Sequence, residues 1–548
     1  MGKYLATFIY RCFWVVNVSI LAYGADTYFA SSAAGSANGT SCANAYAISD
    51  PTYGINVSTN WVAGNTLHLC GTITASSGAN QFIKAAASGS SGAPITIKFE
   101  TNAVLAAPYW GGSFNTSGGA IDTVGNSYIT IDGGTNGVIQ ATACGTSNNS
   151  STCGAANVPL VIFANGGSNV TIQNLTLSNI YVHSSVSDEN GADSMGIWIG
   201  DGSNLTVNNT TIHDVNWAVR MSFDRSGPYS NWVYENNTSY NVSHSTFFEQ
   251  GSGTGTMSGL LIHNNVCHDW ANWDDAANEN HHDCFHVSAD GSGGSFTGIQ
   301  IYNNYAYGDP GSYEGSGSGG GGSSNFLFSY PNSGIVGPMM IFNNVVDLNV
   351  ANDYPADGFV VLDEVGAGSM IVNNTFVNSY GGSYNGGTAP MVGHIYTGSV
   401  TFENNLFITL PYWESFPDKT STSDYNIMYN SPSNGCGGTL GGSCSTYYFP
   451  LSNWQAQGFD AHSLTGNPLV SGTVGNIQTY APTSGGAGVG KGVNLTSLGI
   501  AALNVDAAGN QRPSSGSWDI GAFQYASSTT TTSATPPAAP TNLATSVQ

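Results

Sequence analysis

The chain has 548 residues with 33 Asp and Glu against 9 Lys and Arg, a formal charge of −24, and only 8% of its residues are charged. An acid excess of this size repels nucleic acid and anionic membrane, and excludes both as partners. With so few charges, solubility falls to Gly, Ser, Thr and Asn, and any charged cluster inside the sequence becomes a candidate for function.

The chain opens with MGKYLATFIYRCFWVVNVSILAYG, in which Lys3 and Arg11 flank the start of an apolar run and Ala22-Tyr23-Gly24 offers a small-x-small cleavage site. Residues 1–24 are therefore expected to be a signal peptide, and the mature protein is expected to be extracellular and monomeric. The run is too short for a membrane span of about 20 residues, and no later segment reaches that length. Removing Lys3 and Arg11 takes the charge from −24 to −26, and eight of the nine cysteines remain. Export suits disulfides, and neighbour order suggests Cys42 with Cys70, Cys144 with Cys153, Cys267 with Cys284, and Cys436 with Cys444.

From residue 169 onward one pattern returns: an alternating apolar segment that runs into asparagine, as in NVTIQNLTL, NLTVNNTTI, GLLIHNNVC, MMIFNNVV and VTFENNLFI. Taking Asn174, Asn209, Asn237, Asn265, Asn304, Asn344, Asn374 and Asn405 as anchors, the intervals run from 28 to 40 residues. A loose period with variable insertions marks a solenoid with decorated loops. A second short strand precedes most anchors (MGIWIGD, AVRMSFD, FFEQ, CFHVSAD, NFLFSY, GFVVLDE, VGHIYTG), so each turn holds at least two strands. Asparagines at a bend are expected to hydrogen-bond to their equivalents above and below. The triplets at Asn209 and Asn237 match glycosylation acceptors but fall on these ladder positions.

On these repeats the chain resembles secreted right-handed parallel β-helix proteins of the pectate lyase and polygalacturonase superfamily. The resemblance covers most of residues 25–525. TYFASSAAGSANGTSCANAYAI with GNTLHLCGTIT resembles the N-terminal cap and first turn, and NQRPSSGSWDIGAFQY resembles the closing strand, where Arg512 and Asp519 would form a structural ion pair. It implies an all-β, right-handed parallel β-helix domain over residues 25–525. Residues 526–548, rich in Ser, Thr and Pro, are expected to be a disordered tail.

Alternation in the pre-anchor strands sends Trp198, Arg220, His286, Leu327, Val360 and His394 to the outer face, with Glu249 the outward choice in the turn between Arg220 and His286. Beside this column lies the insertion HDWANWDDAANENHHDC between Cys267 and Cys284. It offers Trp270 and Trp273 to stack on sugars, His281 and His282 to bind them, and Asp274, Asp275 and Asp283 as carboxylates. On a strand His282 and His286 lie about 13 Å apart, too far to share a zinc ion, whereas the acidic loop can hold calcium. Against the polygalacturonase motifs, HHDCF at 281–285 resembles the Asn-Thr-Asp-Gly element with Asp283 at its aspartate. Gly308-Asp309-Pro310 and Gly393-His394 match others in part, and an Arg-Ile-Lys element is absent.

The leading expectation is hydrolysis of a neutral or weakly charged extracellular polysaccharide with no required cofactor. Asp283 and Glu249 would be the carboxylate pair, with Arg220, His282 and His286 as substrate-binding or pKa-tuning partners. The alternatives are a lyase with calcium on Asp274, Asp275 and Asp283 and Arg220 as base, and a non-catalytic glycan-binding β-helix.

Overall fold

The computed structural model describes residues 24–143, 160–181, 194–270, 282–309, 325–348, 360–362, 366–379, 392–395, 399–410, 415–416, 421–430, 435–437, 446–448 and 450–526. The chain winds as a parallel β-helix with three strands to a turn, one more than the minimum the repeat implies. One turn comprises Trp217–Phe223, Pro228–Glu235 and Thr238–Tyr240, and the next begins at His244. Each strand pairs in parallel with its equivalents one turn below and above, for example Trp232 with Leu205 and Leu260. Alternation explains the packing: Val170, Ile172, Leu205, Val207, Trp232, Tyr234, Leu260 and Ile262 point inward, at most 1% exposed, and join a core that runs without a break from Phe29 to Phe459.

The corner between the second and third strands explains the paired asparagines. Asn236, Asn264, Asn303, Asn343, Asn373 and Asn404 have φ between 54° and 60°, a left-handed conformation that Asn tolerates best among side-chain-bearing residues. The residue after each turns inward and builds the expected ladder. Asn237, Asn265, Asn304, Asn344, Asn374 and Asn405 each donate an amide hydrogen to the next amide oxygen at 2.9–3.2 Å, ending on Asn426. Each of these six also donates to a main-chain carbonyl, as Asn304 does to Ile262. Two of the sequence anchors are corrected: Asn174 and Asn209 occupy the left-handed position, and the ladder position in their turns is held by Leu175 and Thr210. Asn237 is 1% exposed and so is closed to glycosylation in the folded chain.

At the start of the helix, Asp26–Ala30 pairs with Thr66–Leu69, and the Cys42–Cys70 disulfide ties the cap to this first turn. Cys267–Cys284 is also formed. The other two expected disulfides, the signal peptide, residues 527–548, and His281, Trp273, Asp274 and Asp275 fall outside the described residues.

The C-terminal segment is a correction. Residues 463–525 contain no strand; they run as an irregular strap across successive turns, taking hydrogen bonds from the corner asparagines. Asn343 donates to the carbonyl of Val505, Asn373 to those of Asp519 and Gly521, and Asn404 to that of Val493. Arg512 and Asp519 form no direct ion pair. Arg512 donates to Asn343 at 2.7 Å and Gln524 at 3.1 Å, while Asp519 accepts main-chain hydrogens from Gly490 and Tyr525. Among the described residues no helix is long and apolar enough to cross a membrane.

Candidate functional site

The first strands of six successive turns form the face that carries the charged residues: β1 (Leu160–Asn165), β2 (Met195–Gly200), β3 (Trp217–Phe223), β4 (His244–Gln250), β5 (Asp283–Ala289) and β6 (Asn325–Tyr330). Register sets the outer rows. The middle row reads Phe163, Trp198, Arg220, Phe247, His286 and Phe328, and its backbone register continues at Val361 and His394. Leu327 and Val360 are therefore corrected to the inner face, where both are fully buried. In NFLFSY apolar residues occupy both parities, so alternation alone does not fix the phase.

Phe247, not Glu249, shares the row with Arg220 and His286. Glu249 lies one row on, opposite Ser222 and Ser288. It is still the ion-pair partner of Arg220, whose guanidinium bonds its carboxylate. The same guanidinium stacks 4.2 Å over the Trp198 ring and 5.0 Å over Phe114. Burial pushes the Glu249 carboxyl above the usual carboxylate range, the Arg220 charge opposes this, and Asp290 and Asp224 add to the rise.

A third row, at the strand starts, reads Trp217, His244 and Asp283. Asp283 is fully buried. Its Oδ2 lies 3.2 Å from His286 Nδ1 and 3.7 Å from His244 Nε2. His282 is 2% exposed, with its Nδ1 3.4 Å from Ser243 Oγ. His244 is absent from the sequence reading because the apolar pair Phe247-Phe248 marks only the end of HSTFFEQ as a strand. Its alignment opposite Asp283 needs the register.

Three sequence assignments do not survive. Asp283 pairs with His244, five residues before Glu249, so about 16 Å of strand separates the supposed carboxylate partners. Trp198 is fully buried, its indole nitrogen donating to Ser222 at 2.8 Å, and cannot stack on a ligand. Trp270 is 1% exposed and belongs to the core. The half-buried aromatic pair of the face is instead Trp217 and Phe247, stacked with centroids 5.1 Å apart.

At the far ends of β1 to β3 the face opens into a cavity of about 490 Å³ lined by Asp122, Phe163, Asn165, Asp201, Asp224 and Arg225, among others. Asp122 and Asp201 are held by donors: Gln81 and the Val124 amide on the first, Asn165 and the amides of Asp224 and Arg225 on the second. Asp224 accepts no hydrogen bond among the described residues, and the buried Asn165 Oδ1 has no partner either. Asp224 follows β3 two residues past Ser222, the residue opposite Glu249, so Asp224 and Glu249 are diagonal neighbours about 7–8 Å apart at the backbone.

No family model and no curated protein matches the chain. Among solved structures it is similar to the pectate lyase Pel9A, at 15% identity over 92% of this chain and 97% of that one, with a TM-score of 0.44. It is also similar to XylC in complex with xylose, at 10% identity over 91% and 98% with a TM-score of 0.47. A third is the family 28 exopolygalacturonase of Yersinia enterocolitica, at 12% identity over 61% and 73% with a TM-score of 0.35.

Proposed function

We propose that the protein is an extracellular enzyme that hydrolyses a polysaccharide laid along the outer face of β1 to β6, with Glu249 and Asp224 as the carboxyl pair. The supporting observation is their contrast in setting on one face. Glu249 is mostly buried, and burial favours its protonated form, which suits a general acid. Asp224 stands at the cavity without a hydrogen-bond partner among the described residues, which suits a base that activates water. Two carboxyls in unlike environments divide the acid and base roles between them.

Trp217 and Phe247 supply a ring surface for a pyranose, and the cavity beside Asp224 accommodates a neighbouring sugar. Asp122, Asp201, Asp224 and Glu249 outnumber Arg220 and Arg225 there, so a neutral glycan is favoured over a uronate chain. The Cys42–Cys70 and Cys267–Cys284 disulfides suit an oxidising, extracellular setting.

Reducing-end release from neutral glycans such as xylan, mannan, arabinan and β-glucan tests this. Glu249→Gln and Asp224→Asn are each expected to lower kcat by about 100-fold or more with KM little changed. An active parent whose two variants keep full activity removes the assignment. An ultraviolet-absorbing unsaturated product replaces hydrolysis with elimination, and retention on a glycan gel without turnover replaces catalysis with binding.

A further inference from the structure

His244, Asp283 and His286 form a cluster that the carboxyl pair does not use. They come from adjacent strands, β4 and β5, and are 4%, 0% and 6% exposed. One ligand atom from each lies within 4.8 Å of the other two, with the nearer approaches at 3.2 and 3.7 Å. Around a tetrahedral ion with bonds of about 2.0–2.1 Å, neighbouring ligand atoms stand about 3.3 Å apart, so small side-chain shifts close the set.

The surroundings fit the same reading. Ser243 Oγ lies 3.0 Å from His244 Nδ1, and a hydrogen bond there holds the ring with its Nε2 edge turned toward Asp283. A hydrogen bond to the far ring nitrogen of this kind orients metal-binding imidazoles. His282 Nδ1 lies 3.4 Å from the same Ser243 Oγ, on the side of the hydroxyl that supports His244. Phe247 and Phe328 pack on the His286 ring and Trp217 on that of His244, giving an apolar jacket. The Cys267–Cys284 disulfide fixes the backbone next to Asp283.

We propose that His244, Asp283 and His286 bind one divalent transition-metal ion of the zinc type, joining two turns of the helix. Two imidazole nitrogens with one carboxylate suit zinc, iron(II) or nickel(II), whereas calcium takes six or more oxygens. The site stands apart from Glu249 and Asp224, so it holds or fails independently of the hydrolase reading.

The test uses the full chain, stripped with a chelator, and zinc as the probe. Competition with a chromophoric chelator is expected to show one tightly held zinc per chain, and cobalt(II) is expected to give the visible absorption of a four-coordinate site. His244→Gln and His286→Gln are expected to lose both signals, and Ser243→Ala to weaken affinity by about 10–100-fold. His462→Gln, which alters the exposed His462–Asp424 pair, is expected to change neither. A folded, stripped parent that takes up no zinc at micromolar concentration overturns the proposal. So does full binding by either cluster variant, or loss of binding in His462→Gln. If the cluster variants unfold, the parent stoichiometry and Ser243→Ala decide.

Discussion

Asp347 is 1% exposed and accepts the hydroxyl hydrogen of Tyr480, which reaches it from the C-terminal strap. Burial raises its pKa, and the hydroxyls of Tyr480 and Ser379 only partly oppose this. The folded value stands above that of an unfolded aspartate, so between the two the folded chain keeps a proton that the unfolded chain releases. Stability from this group is complete below that unfolded value and is lost as pH rises through the folded one. Asp347→Asn is therefore expected to melt above the parent at pH 7 and without that advantage near pH 3, as thermal unfolding at the two pH values will show. Tyr480→Phe removes the donor and is expected to cost about 1–3 kcal/mol at pH 7. At this scale the sequence carried Arg220 and Glu249 as partners, because charge is scarce enough for two charged residues in adjacent turns to stand out. It did not carry Asp224, since an aspartate closing AVRMSF looks like any turn residue after a strand.

The asparagine ladder shows what repetition does to one element. Asn304 Oδ1 accepts both the main-chain and amide hydrogens of Asn265, and its own amide donates to Ile262 and Asn344. Asn304→Ala leaves these buried groups unpaired, and a loss of about 3 kcal/mol or more is expected in denaturant unfolding. Asn204→Gly removes a rung of the exposed column between Asn169 and Asn231 while keeping its left-handed backbone, and a change within about 0.5 kcal/mol is expected. The ladder was legible because paired asparagines have a physical cause, one left-handed corner and one inward amide. Its first rungs were misplaced because the inward residue there is Leu175 or Thr210, which leaves a single asparagine to be read as either position.

At the scale of the molecule, the turns and the strap depend on each other. Trp518 is fully buried against Phe342, Val372, Leu495 and Leu503, and its indole nitrogen donates to Pro513. Trp518→Ala is expected to cost about 3–5 kcal/mol. The loss should appear first as protease cleavage within residues 463–526 while the far-ultraviolet signal of the turns persists, because a stacked array opens locally before it melts. The β-helix was legible from period and alternation, which every turn repeats. The strap was not, because the corner asparagines hold it largely by its main-chain carbonyls, and Tyr480 and Arg512, which bond the turns through their side chains, recur at no period. The ladder also has a direction. All its amides point the same way, so their dipoles add and each polarises the next. The last, Asn426, donates to Asp460, a fully buried carboxylate that also takes hydrogens from Ser463 and Trp454. A carboxyl group whose oxygens take hydrogens from three side chains thus sits at the positive end of the row of dipoles, and the next molecule finds no open rung there. An open parallel helix is a template for end-to-end fibre growth, and on this column Asp460 closes it.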